Sequence, residues 1–80
     1  MNLTVYTQPG CLPCKRVIQK LEEAGIHPDV VDISEDLLAK EYVTKFLQAK
    51  STPVIEAPGF DAVLGYQPDK LKEIINAFRD

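Results

Sequence analysis

Polar and apolar residues alternate from Met1 to Thr7, with β-favouring Val5 and Tyr6, and the run ends at Gln8-Pro9-Gly10. The pattern predicts a short strand followed by a turn. From about Leu12 to Ala24 the period changes. Val17, Ile18 and Leu21 recur at helical spacing, Lys15, Arg16, Lys20 and Glu22 fill the opposite face, and Gly25 supplies a stop. Val30-Val31-Asp32-Ile33 reads as a second strand, after which Ser34 has the place of an N-cap, with Glu35 and Asp36 in the first turn of a helix ending near Gln48. That helix is expected to bury Leu38, Tyr42, Val43, Phe46 and Leu47 and to leave Lys40, Glu41, Lys45 and Gln48 in water.

Ser51-Thr52-Pro53 breaks the helix, and Val54-Ile55-Glu56 forms a short strand. Ala57-Pro58-Gly59-Phe60 turns the chain into Asp61-Ala62-Val63-Leu64, a hairpin partner that Gly65 ends. A last helix starts near Pro68 and carries the apolar stripe Leu71, Ile74, Ile75 and Phe78. The order βαβαββα calls for an α/β fold. Its strand-helix-strand units demand parallel pairing and its closing hairpin adds an antiparallel strand, which gives a mixed four-stranded sheet flanked by three helices on both faces.

At 80 residues the chain has room for one domain, spanning 1–80, and for no second one. A net charge of −3 argues against a nucleic-acid partner, which needs clustered Lys and Arg to displace counterions from phosphates. No apolar run approaches the roughly 20 residues of a spanning helix, and the N-terminus lacks a basic segment and an apolar core of a signal peptide. A cytoplasmic monomer with no membrane partner is the resulting expectation.

The chemistry centres on the two cysteines, Cys11 and Cys14, both inside one C-x-x-C. A bridge closing so short a loop constrains little, so the pair reads as chemical rather than structural. Placed between the first strand and an amphipathic helix, the leading sulfur lies at a helix N-terminus, where unpaired N–H groups and the helix dipole stabilise an anion. Cys11 is therefore the expected thiolate nucleophile, and Cys14, one turn further in, the resolving thiol. Pro13 is tolerated between them because a first-turn N–H has no helical partner. Zinc needs about four ligands, and His27, the only histidine, stands alone before Pro28. No metal motif or nucleotide-binding glycine fingerprint is present, so no cofactor is expected in the protein itself.

Thr52-Pro53 has two readings. A proline opening a strand opposite the C-x-x-C loop has the place of a cis proline, with Thr52 offering backbone to a docked peptide. Taken alone, an X-Pro bond is cis in only about 5–6% of cases, and a trans proline ending the preceding helix is the plain alternative. Gly65 likewise reads as a turn glycine and Tyr66 as a half-buried aromatic.

Together Val5-Tyr6-Thr7-x-Pro9-x-Cys11-x-x-Cys14, Thr52-Pro53-Val54 and Gly65-Tyr66-x-Pro68-Asp69 resemble the glutaredoxin family of the thioredoxin superfamily along essentially the whole chain. The C-terminal stretch resembles the NrdH-redoxins, glutaredoxin-like donors reduced by thioredoxin reductase that serve class Ib ribonucleotide reductase. Where that family reads Trp-Ser-Gly-Phe-Arg-Pro, this chain reads Val63-Leu64-Gly65-Tyr66-Gln67-Pro68, keeping the glycine, an aromatic and the proline. The resemblance implies a thioredoxin-like fold, a cis corner at Thr52-Pro53, catalytic roles for Cys11 and Cys14, and a substrate-binding groove comprising Pro13, Thr52, Pro53, Gly65 and Tyr66.

Glutathione-using glutaredoxins carry a lysine near the end of the first strand, Pro-Tyr between the cysteines, and Gly-Gly followed by acidic residues before the last helix. This chain has Gln8, Leu12-Pro13 and Leu64-Gly65-Tyr66 there. Each lost charge-assisted hydrogen bond costs about 1.5–3 kcal/mol, so weak or no glutathione binding is expected. An electron donor recharged by thioredoxin reductase is thus weighed against a glutathione-dependent glutaredoxin. A third reading, from another class, is a non-catalytic binding module with a structural disulfide.

Overall fold

The computed structural model describes residues 3–79. Its elements are β1 (Thr4–Thr7), α1 (Leu12–Glu23), β2 (Asp29–Asp32), α2 (Leu37–Glu41) continued by a π-helical segment (Tyr42–Phe46), β3 (Val54–Glu56), β4 (Val63–Leu64) and α3 (Pro68–Phe78). The strands form one sheet in the order β2-β1-β3-β4. β1 pairs parallel with β2 and antiparallel with β3, and β3 pairs antiparallel with β4. The mixed four-stranded sheet with three helical elements expected from the chain order is present, but the expected parallel pairing holds only for β1 and β2: β3, after the second strand-helix-strand unit, runs antiparallel to β1. Met1 and Asn2, placed in the first strand by the sequence pattern, lie outside the described residues.

Alternation along the strands divides the core in two. Val5 and Ile55, directly paired, pack with Val17 and Leu21 of α1 and Leu71 and Ile74 of α3. Tyr6 and Val54, the next pair, point to the other face and pack with Ile33, Val43 and Ala49. Because successive side chains in a strand point oppositely, a single residue step assigns each to its own helix layer. α1 and α3 therefore cover one face and the α2/π element the other. α1 ends in a Schellman arrangement, with Gly25 at φ +81° and the Gly25 and Ile26 N–H groups donating to Glu22 and Leu21.

The middle helix departs from the sequence expectation at its start and along its face. Asp32 Oδ1 accepts from the Ser34 N–H at 2.8 Å and from its hydroxyl at 2.6 Å, which holds this stretch in a turn. The cap passes to Asp36, whose Oδ1 accepts from the Ala39 N–H at 3.0 Å. Farther on, the Thr44 hydroxyl donates to the Lys40 carbonyl at 2.8 Å, and the Leu47 N–H reaches the Tyr42 carbonyl five residues back. Side-chain competition for a helical carbonyl disturbs the regular ladder, and the wider turn advances the side-chain register. Val43 is buried and Tyr42 and Leu47 half-buried, but Phe46, inside the wide turn, is 73% exposed, and Leu38, ahead of it in the first turn after the Asp36 cap, is 81% exposed. The expected burial of those two residues is corrected.

Gln48 at φ +59° then reverses the chain, with the Ala49 N–H donating to the Val43 carbonyl six residues back. This returns the backbone toward Pro53 at the head of β3. In the second core layer, Glu56 accepts hydrogen bonds from the hydroxyls of Tyr6, at 2.9 Å, and Tyr42, tying the π segment to the sheet.

Candidate active site

Cys11 stands at the N-cap of α1 with extended backbone, φ −86° and ψ 100°, and its Sγ accepts the Cys14 N–H at 3.2 Å. That N–H is one of the donors a helix start leaves without a backbone partner, so the sulfur takes the place of a capping oxygen. The two cysteines are joined as a disulfide across a Cα separation of 5.3 Å. They sit in unlike surroundings: Cys11 is partly exposed, whereas Cys14 is fully buried with Val17 and Leu21 on the inner side of α1. Leu12 is 68% exposed and Pro13 is also on the surface.

The Thr52-Pro53 bond is cis, Pro53 is fully buried and Thr52 is 8% exposed. The Pro53 carbonyl accepts the Gly65 N–H at 2.8 Å, which ties the corner to the end of β4. Gly65, at φ +82°, turns the chain there into α3. β1 and β4 both end where β3 begins, so the cysteine loop, Pro53 and Gly65 gather at one end of the sheet's strands. Tyr66 differs. It packs against the α1/α3 core and lines a groove of about 460 Å³ between those helices, with Lys20, Leu71, Lys72 and Ile75.

The structure also draws in residues that the sequence did not single out for the site. A small hollow of about 100 Å³ behind the corner is lined by Gln8, Lys40, Thr44, Lys50, Ser51 and Thr52. Among the described residues, the buried Thr52 hydroxyl has no hydrogen-bond partner. Lys50 also borders a second hollow with Gln48, Ser51, Leu64 and Gly65. Lys50 lies three positions before Pro53, a local signal available from the sequence. Lys40 carries none, because only the return of the chain after the π segment brings it beside Gln8.

A family model for glutaredoxin matches residues 3–60. The Gene 56 protein of Mycobacterium phage D29 is 49% identical over 76 residues, covering 95% of this chain and 84% of that protein. The glutaredoxin-like protein NrdH of Lactococcus lactis is 32% identical over 74 residues, covering 90% of this chain and 97% of that protein. Among solved structures, the NrdH-redoxin of Escherichia coli has a TM-score of 0.83 at 22% identity, covering 92% of this chain and 95% of that one, a likeness of fold. A cysteine pair at disulfide distance on the first helix of a thioredoxin-like sheet thus coincides with sequence similarity along nearly the whole chain, and the protein belongs to the glutaredoxin family as an NrdH-like member.

Proposed function

We propose that this protein is a dithiol electron donor that reduces protein disulfides and is itself recharged by thioredoxin reductase. The observation that carries the reading is the asymmetry of the pair: a partly exposed Cys11 sulfur accepting a helix-start N–H, and a fully buried Cys14 behind it. A thiolate at Cys11 attacks one sulfur of the partner disulfide, forming a mixed disulfide and releasing the partner's other sulfur as thiolate. Cys14, deprotonated in turn, attacks the Cys11 sulfur, closes the internal disulfide and releases the second partner thiolate. Two electrons pass to the partner, whose sulfurs take up the two protons that Cys11 and Cys14 give up to solvent. Ribonucleotide reductase is the protein disulfide we propose first, and the location is cytoplasmic and the protein monomeric.

Gln8 and the Leu12-Pro13 pair support thioredoxin reductase as reductant, since neither offers the charge or hydroxyl that a glutathione site uses. One observation favours the rival. Lys40 and Lys50 share the hollow beside Gln8, so a carboxylate could find there the charge that Gln8 does not provide. Following NADPH consumption with thioredoxin reductase, and separately with glutathione reductase plus glutathione, divides the two. Turnover in the first assay alone is expected. Turnover in the second that falls by about tenfold in kcat/KM for Lys40→Ala and Lys50→Ala, the loss of about 1.4 kcal/mol each, would establish the glutaredoxin reading instead.

A further inference from the structure

Acidic residues outnumber basic ones in the chain, twelve to nine, yet the charges are segregated. From Cys11 to Leu21 the charged residues are Lys15, Arg16 and Lys20, and from Leu37 to Thr52 they are Lys40, Glu41, Lys45 and Lys50. These two segments hold the cysteine pair and the approach to Pro53, and all but one of the carboxylates lie outside them, Asp32 beside Thr7 and Asp36 at the cap of α2 being carboxylates at the same end of the sheet. Every one of these cations is exposed. Lys15 and Arg16 follow Cys14 directly, roughly 6–8 Å along the helix axis from Cys11 at 1.5 Å per residue. On the other side Lys40 and Lys50 border the hollow beside Gln8 and Thr52, and Lys50 also faces Gly65 and Leu64.

Cations in the first turns of a helix oppose its dipole, and α1 has no acidic residue in its first turn to offset them. Lys15 and Arg16 therefore stand against local preference, as residues serving a site do. Exposed apolar side chains accompany the cations, Leu12 at 68% and Leu64 at 38% exposure. Apolar side chains among charged ones have the make-up of a transient protein contact.

We propose that the partner disulfide lies in an acidic protein segment, in which Asp or Glu residues flank the cysteines and face Lys15, Arg16, Lys40 and Lys50. This inference rests on the reading of the protein as a reductant of protein disulfides. It leaves the chemistry unchanged, two electrons passing from the Cys11/Cys14 dithiol to the partner, and assigns partner choice to charge. At about 0.15 M salt the screening length is about 8 Å, so a docking segment feels the nearby cations rather than the net charge of −3. Local fields of this kind raise association rates by about 10- to 1,000-fold.

The test uses the reduced protein and three disulfide peptides of equal length, identical except that the residues flanking the bridge are acidic, basic or uncharged. Bis(2-hydroxyethyl) disulfide serves as a small uncharged substrate. The acidic peptide is expected to be reduced at least about tenfold faster than the basic one near 10 mM salt, the ratio collapsing near 1 M, where the screening length is about 3 Å. In a Lys15→Glu/Lys50→Glu double variant, where two carboxylates offset Arg16 and Lys40, the ratio falls toward one, and because it is taken within one variant, any change in Cys11 reactivity cancels. Arg79→Glu, at the far end of α3, leaves the preference in place. Equal rates for acidic and basic peptides would overturn the inference while leaving the disulfide reductase intact. Failure to reduce all three peptides and the hydroxyethyl disulfide would overturn the underlying reading itself.

Discussion

A sulfur at an N-cap is a poor substitute for a capping oxygen unless it carries charge, and Cys11 occupies that place with its Sγ 3.2 Å from the Cys14 nitrogen. The position was legible because strand, turn and helix start are local patterns and the C-x-x-C falls at their junction. Gly65 was legible for a similar reason. At φ +82°, with nothing within 4 Å of where a methyl group would stand, its constraint is the backbone alone. Gly65→Ala is expected to lower stability by about 1–2 kcal/mol, measurable as a shift of the urea midpoint without loss of fold. Lys40 and the unpartnered Thr52 hydroxyl were not legible. Their surroundings are made by chain segments that meet only after folding, and spacing carries no trace of that meeting.

Among the elements, α1, β3 and α3 follow their apolar periods closely, since nothing competes with their ladders or caps. The middle helix does not, because Asp32 captures Ser34 and Thr44 bonds back to Lys40. Stability measurements separate the two kinds of element. Leu21→Ala removes a fully buried side chain and is expected to cost about 2–5 kcal/mol, whereas Leu38→Ser, at an 81% exposed position, should stay within about 0.5 kcal/mol. Chemical denaturation of the two variants checks both; a large loss at Leu38 would contradict the outward register of the π-bearing helix.

The Tyr6-Glu56-Tyr42 contact gives the same element a pH signature. Burial and the hydrogen bond to Glu56 push the Tyr6 phenol well above its ordinary value, and the hydrogen bond to Glu56, with burial, raises Tyr42. Below about pH 10 both phenols are protonated in the folded and unfolded chains, and the contact contributes fully. As the pH rises further, the unfolded chain releases these protons first and stability falls. Thermal midpoints are expected to drop above about pH 10, and to drop less steeply in Tyr6→Phe than in the parent protein.

For the whole molecule, the sheet order β2-β1-β3-β4 and its register bring the ends of β1 and β4 and the start of β3 to one end of the sheet. The mixed four-stranded make-up and the parallel β1-β2 pair were readable from the βαβαββα order, but the central place and antiparallel direction of β3 were not, because the link from β2 through the middle helix does not return the chain as a parallel crossover. The first helix then carries Lys15 and Arg16 close behind the cysteine pair, and Lys40 and Lys50 border the hollows beside the cis-proline corner. Fold and charge together make a donor whose exposed sulfur meets the partner and whose buried sulfur ends the exchange.

The most direct test of this division of labour is covalent trapping. Cys14→Ser, incubated with a protein disulfide substrate and resolved by non-reducing mass spectrometry, is expected to accumulate a mixed disulfide on Cys11, while Cys11→Ser forms none and turns over nothing. If the Cys14→Ser protein never yields an adduct although the parent protein turns over, or if Cys11→Ser remains active through an adduct on Cys14, Cys11 is not the nucleophile and the two-step exchange is wrong.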